Sequence, residues 1–193
     1  MIETDVKRII AYSTVSQIGF IFLGLAISNE MGVAGALLFI LMHGLAKGGL
    51  FLCAGIVEQN TKTKDITQLG GLIKTMPVTA VSFLLCAFSV MGIPPFGGFF
   101  SKYMVMTGAI QSGQLWITLI FLAGAFLTII YLFRVFNMVF MGQEKLTPKP
   151  EGSPVMVISV ALLAVLSLAG GILIYFPFQF AQSAIQQLPG MLK

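Results

Sequence analysis

The sequence predicts an all-α, polytopic membrane protein with five transmembrane helices, the third of them discontinuous. Three observations carry that prediction. The 193-residue chain is 57% hydrophobic and 9% charged, against roughly 25% charged residues in an average soluble domain. Its apolar stretches reach the roughly 20 residues that a bilayer crossing needs. Inside one of them, residues 92 to 103 (Gly-Ile-Pro-Pro-Phe-Gly-Gly-Phe-Phe-Ser-Lys-Tyr) set a helix break beside a cation.

The first span covers about residues 6–28 and is uncharged after Arg8. The second, about 32–57, carries His43 and Lys47. The third starts near Pro77, breaks over residues 92–98 and resumes to about residue 110. Proline removes a backbone donor and clashes with the preceding turn. Pro94 and Pro95 therefore interrupt the helix, and Gly92, Gly97 and Gly98 relax the chain around them. In hydrocarbon such a break survives only where protein or a wet cavity satisfies the freed amides and carbonyls. The fourth span covers about 115–140, with Arg134 placed to snorkel to the interface, and the fifth about 154–176. Residues 1–177 thus read as one five-helix transmembrane unit and 178–193 as a short interfacial tail. The polar loop 58–75 has room for a short surface helix, and the proline-rich segment 147–154 reads as an extended linker.

Five spans put the two termini on opposite sides. Lys7, Arg8, Lys62, Lys64, Lys74, Lys145 and Lys149 gather on the N-terminal side, and only Lys193 on the other. By the positive-inside rule this predicts a multi-pass cell-membrane protein with a cytoplasmic N-terminus and an external C-terminus. The net charge of +4 follows that topology, so the expected surroundings are the lipid bilayer, with no nucleic acid. Glu3 and Asp5 give the start of the chain the wrong charge for a signal peptide, and none is expected. Cys53 and Cys86 sit in apolar runs and read as packing residues. No ligand spacing supports a metal, and no glycine-rich phosphate loop is present, so neither a metal nor a cofactor is expected.

The polar residues within the spans carry the functional reading. Between Thr75 and Arg134, Lys102 is the only side chain expected to be charged at neutral pH. An ionisable group at that depth is costly and marks a functional site. Lys102 begins the half-helix after the break, where carbonyls freed near Gly92 are available to its ammonium. His43 and Lys47 are four residues apart, hence on one helix face, and Gly44, Gly48 and Gly49 leave room for a neighbour to approach. Histidine changes charge near neutral pH, which suits a relay. The first span adds Ser13, Thr14, Ser16 and Gln17, either helix-bridging hydroxyls and amide or the wall of a hydrated path. No carboxylate lies within the spans, so any partner anion must come from Glu3 or Asp5 near the entrance, from water or from another chain.

Three stretches in order, residues 5–19 (Asp-Val-Lys-Arg-Ile-Ile-Ala-Tyr-Ser-Thr-Val-Ser-Gln-Ile-Gly), 41–51 (Leu-Met-His-Gly-Leu-Ala-Lys-Gly-Gly-Leu-Phe) and 92–102, resemble a known family. It comprises the antiporter-like membrane subunits of complex I (proton-pumping NADH:quinone oxidoreductase), of Mrp-type sodium/proton antiporters and of membrane-bound hydrogenases. Its members have fourteen spans that include two inverted five-helix repeats, each with a broken helix. This chain resembles the second repeat, over about residues 2–177. The resemblance implies that Lys102 serves the exit half of a proton path, His43 and Lys47 form the relay before it, and Lys7 stands at the cytoplasmic edge. Many relatives carry a second histidine where this chain has Phe39, so the relay would rely on water there. A first repeat, with its glutamate–lysine pair, is expected from another chain unless the sequence is a fragment. The expected function is a proton-translocating half-module of a complex I-like respiratory or hydrogenase complex, with redox chemistry and other membrane subunits supplied by its partners. The alternatives are an Mrp-type sodium/proton antiporter part, or a structural subunit that translocates nothing.

Overall fold

Seven helices form among residues 2–146 and 151–187, the residues that the structure, a computed structural model, describes. They are α1 (Val6–Ile27), α2 (Glu30–Thr61), α3 (Pro77–Met91), α4 (Gly97–Gln111), α5 (Leu115–Phe140), α6 (Pro154–Ile172) and α7 (Tyr175–Gln186). Four of them, α1, α2, α5 and α6, are long and apolar enough to cross a membrane. The third expected crossing is the pair α3–α4. Two expectations fall on residues outside those described: the charges of Lys149 and Lys193, and the first half of the linker with the end of the tail.

Local chemistry sets the helix ends. Asp5 caps α1 by accepting the backbone amides of Lys7 (2.8 Å) and Arg8 (3.2 Å), which fills two of the donors a helix start leaves open. Asn29 caps α2 through the Gly32 amide, and its own amide donates to the Gly108 carbonyl (2.8 Å), stitching the start of α2 to the end of α4. Pro77 and Pro154 stand in the first turns of α3 and α6, where a missing N–H costs nothing. The Glu151 carboxylate accepts the Thr79 amide (3.1 Å), closing the N-terminus of α3.

α2 is the central pillar, with α1, α3, α4, α6 and α7 all packed on it. Its 32 residues make a rod about 48 Å long, longer than the roughly 30 Å of bilayer hydrocarbon. Residues near its middle, His43 and Lys47 included, are therefore enclosed on several sides. The main apolar core lies toward one end, around Leu50, Ile56, Phe83 and Phe140. α5 and α6 turn broad apolar faces outward, among them Ile120, Phe126, Ile158 and Val165, as a lipid or a neighbouring subunit requires.

The loop with room for a short surface helix does not form one. Ile66, Leu69, Leu72 and Met76 are fully buried under the core, and beside short turns of its own the backbone pairs with its neighbours. Val6 donates to the Lys64 carbonyl and Ile66 to that of Thr4, both at 2.9 Å, while Gly71 and Ile73 donate to Met141 and Phe140. The loop is a plug that ties the start of α1 to the end of α5. It also gathers Lys7, Arg8, Lys62, Lys64, Lys74 and Lys145 at one end of the bundle. Among the described residues, Glu30 is the only formally charged side chain at the other end.

Two boundaries differ from expectation. The break proper is residues 92–96: Gly92 ends α3 with φ +82, Pro94–Pro95 is a cis peptide, and Gly97 and Gly98 already form the first turn of α4. Lys102 is thus in the second turn of α4, not at its start. The last span ends at Ile172, and α7 begins at Tyr175 and folds back onto α2. The uninterrupted apolar run through this turn hides it from the sequence.

Candidate functional site

At the break three segments lie too close for side chains between them. A Cβ on Gly98 would strike the Ser89 carbonyl of α3, and one on Gly171 of α6 would strike the Pro95 carbonyl. Most of the freed polar groups are satisfied within the protein, as hydrocarbon demands. Gly92 and Ile93 donate to Phe88 and Phe96 donates to Ile93, all at 3.0–3.1 Å. The carbonyls of Val90 and Met91, at the open end of α3, accept the Lys102 ammonium at 2.7 and 3.3 Å. A helix C-terminus carries partial negative charge, so a cation is well placed there.

Lys102 is 5% exposed. Its Nζ also lies 5.4 Å from the ring centroid of Phe20 and 5.8 Å from that of Phe39, within cation–π range. Phe39 in turn meets His43 edge-on at 6.0 Å. His43 is buried, and neither ring nitrogen has a hydrogen-bond partner. One turn along α2, the Lys47 ammonium donates to the Ile10 carbonyl at 2.9 Å and to the Ser13 hydroxyl of α1. Both lysines lie within electrostatic reach of His43 and of each other.

The row therefore runs Ser13, Lys47, His43, Phe39, Lys102 and the end of α3. Each ammonium has three donors and finds two oxygen acceptors in the protein. Buried polar groups are nearly always paired, yet both ring nitrogens of His43 are without a partner in this row. The ion pairs Lys7–Glu58 (2.5 Å), Lys64–Glu58 (3.7 Å) and Arg8–Glu3 (3.8 Å) all sit at the basic end. Lys47 and Lys102 are held by neutral acceptors instead. Lys7 stands apart from the row, since Glu58 is about three helical turns from Lys47. A cavity of about 290 Å³ between α4 and α5 reaches Lys102 from the side.

Some contributors escaped the sequence. Ile10 acts through its backbone carbonyl, which every residue owns, whereas the Val90 and Met91 carbonyls are those expected to be freed near Gly92. Phe20 acts through its ring face, which in an apolar run looks like packing. Of the glycines beside the relay pair, Gly44 faces open space, and Gly49 alone makes a close approach, to Cys86.

A family model described as "NADH:quinone oxidoreductase/Mrp antiporter, TM" matches residues 1–128. NADH-quinone oxidoreductase subunit N of Desulforudis audaxviator is 37% identical over 157 residues, covering 78% of this chain and 31% of that protein. A Na(+)/H(+) antiporter subunit of Alkalihalophilus pseudofirmus is 33% identical over 188 residues, covering 96% and 38%. In the structure of the Mrp complex from Dietzia sp., one chain superposes with a TM-score of 0.91 at 25% identity, covering 98% of this chain and 44% of that one. The chain spans about a third of the length of the curated relatives it matches.

Proposed function

The chain belongs to the NADH:quinone oxidoreductase/Mrp antiporter transmembrane family, and we propose that it carries protons through the membrane as part of a larger complex. The observation that supports this most directly is His43. It is buried, has both ring nitrogens unpartnered, and stands between two lysines held only by neutral oxygens. A group without fixed partners, flanked by two proton carriers, suits transfer better than scaffolding. Protons pass along Lys47, His43 and Lys102, with water bridging Phe39, whose ring has no exchangeable proton. The basic end of the bundle faces the cytoplasm, following the charge bias. Neighbouring membrane subunits, or further parts of the same polypeptide, supply the remaining two thirds of the relatives' length, and other chains do any redox chemistry.

Replacing Lys102 by Met tests this. In vesicles from cells that make the protein with its native partners, Lys102→Met abolishes proton transport and leaves the amount of assembled protein unchanged. Undiminished transport would refute the role of Lys102.

Sodium/proton exchange is the second reading, favoured by the match to a Na(+)/H(+) antiporter subunit over 96% of this chain. Within this half the chemistry favours protons. Hard cations seek carboxylate and carbonyl oxygens, and a row of two lysines and a histidine repels them. Transport that requires sodium, and stops on its removal, would establish the antiporter reading.

A further inference from the structure

α6 and α7 run one after the other along α2, both antiparallel to it. A Cβ on Gly152, just before α6, would meet Ile56, one on Gly48 would meet Leu163, and one on Gly170 would meet Met42. α7 carries on from there. A cavity of about 280 Å³ lies between Leu37 and Leu41 of α2 and Pro177 and Ala184 of α7, and Ile185 joins the apolar cluster of Val33 and Ala34. Met42 also marks the level of the break, since a Cβ on Gly97 would strike its sulfur. α7 therefore starts at the depth of the break, and its 12 residues rise about 18 Å toward the start of α2. Half of the bilayer hydrocarbon is roughly 15 Å, so the first turns of α7 lie in hydrocarbon.

The face that α7 turns outward at this depth is polar. Tyr175, Gln179, Ser183 and Gln186 share one stripe at helical spacing and are exposed, with Phe176 and Phe180 beside them. The Gln179 amide donates to the Tyr175 hydroxyl at 2.7 Å, and the Ser183 hydroxyl donates to the Gln179 backbone carbonyl at 2.9 Å. The Tyr175 hydroxyl proton and the Gln179 side-chain oxygen are left for an outside partner. Lipid tails offer none, and a polar group without one is costly there. We propose that this stripe docks a membrane-spanning helix of another chain, one that presents neutral hydroxyl or amide side chains. Such groups join helices within membranes. α7 carries no charge, so a carboxylate or an ammonium on the partner would meet no counter-charge. Phe176 and Phe180 supply the packing. The proposal concerns assembly and stands apart from the proton-carrying reading.

The test is made in native membranes, with the chain among its own partners. A benzophenone amino acid in place of Phe180 attaches, on illumination, to a membrane-spanning peptide of another chain. That peptide has a serine, threonine, asparagine or glutamine within one turn of the attachment point. Gln179→Leu cuts recovery of the attached chain in gentle-detergent purification about fivefold, the scale of one interhelical hydrogen bond, and Gln179→Asn keeps most of it. Gln179 is exposed, so neither change disturbs the fold of this chain. Attachment to lipid only, to a span without such a residue, to a second copy of this chain or to a water-soluble protein overturns the proposal. So does unchanged recovery in Gln179→Leu, the result for a side chain that faces lipid. Lys102→Met leaves the attachment intact, so the docking and the proton-carrying reading fail separately.

Discussion

Phe39 is where the row of ionisable side chains is interrupted. Its ring lies within 6.0 Å of both the His43 ring and the Lys102 ammonium, and it stacks with Phe20 at 6.5 Å. It separates His43 from Lys102 and, through its face, helps hold the cation. Phe39→His places an exchangeable nitrogen in the gap and is expected to raise the rate of proton transport in vesicles. Phe39→Leu keeps much of the volume but removes a cation–π partner worth about 1 kcal/mol, and is expected to lower the rate. Equal rates in both variants would show that the ring is packing only. The ionisable members of this row were legible in the sequence, because charge inside an apolar run stands out. The carbonyls before Gly92 were legible as acceptors for Lys102, because the break frees them, whereas the Ile10 carbonyl on Lys47 was not, since an intact helix gives no sign of it.

Among the elements, the close approach of α4 to α3, and of α6 to the break, predicts two opposite glycine effects. Gly98→Ala drives a methyl group into the Ser89 carbonyl, forces the half-helices apart and draws Lys102 away from Val90. Proton transport and thermal stability in detergent are both expected to fall, although no ionisable group is touched. Gly44 faces open space in mid-helix, so Gly44→Ala is expected to stabilise by about 0.5–1 kcal/mol through helix propensity alone. In the plug, the Asp65 carboxylate accepts the Thr67 hydroxyl (2.7 Å) and amide (2.9 Å). These bonds hold it below its ordinary range near 3.8. The stability they add is full above about pH 4 and is lost as the pH falls further. Amide exchange at Thr67 should therefore accelerate in acid relative to neighbouring amides, and Asp65→Asn should remove that acceleration. Helix limits were legible where prolines and polar gaps mark them, as at α5. The plug and α7 were not, because burial of the plug comes from long-range pairing with α1 and α5, and the turn before α7 carries no polar signal.

For the whole molecule, charge was the readable feature. Positive residues at one end and Glu30 alone at the other, among the described residues, predict that a tag in the loop after Lys62 is protected in intact cells and exposed in inverted vesicles. The opposite pattern would place the basic end on the external side. Gentle-detergent purification of the native protein is expected to recover further antiporter-type membrane subunits with it, and recovery of the chain alone would refute its place in an assembly. The outward apolar faces of α5 and α6 do not name their neighbours, since lipid and protein ask for the same side chains. The clasp of Lys102 on α3 has a wider consequence. The carbonyls that end one half-helix hold the charge carried by the other, so loading or unloading that charge exerts a force across the break. Linkage makes the effect reciprocal: a push on either half-helix changes how tightly the proton is held. The break thus ties the geometry of the two half-helices to the charge on Lys102.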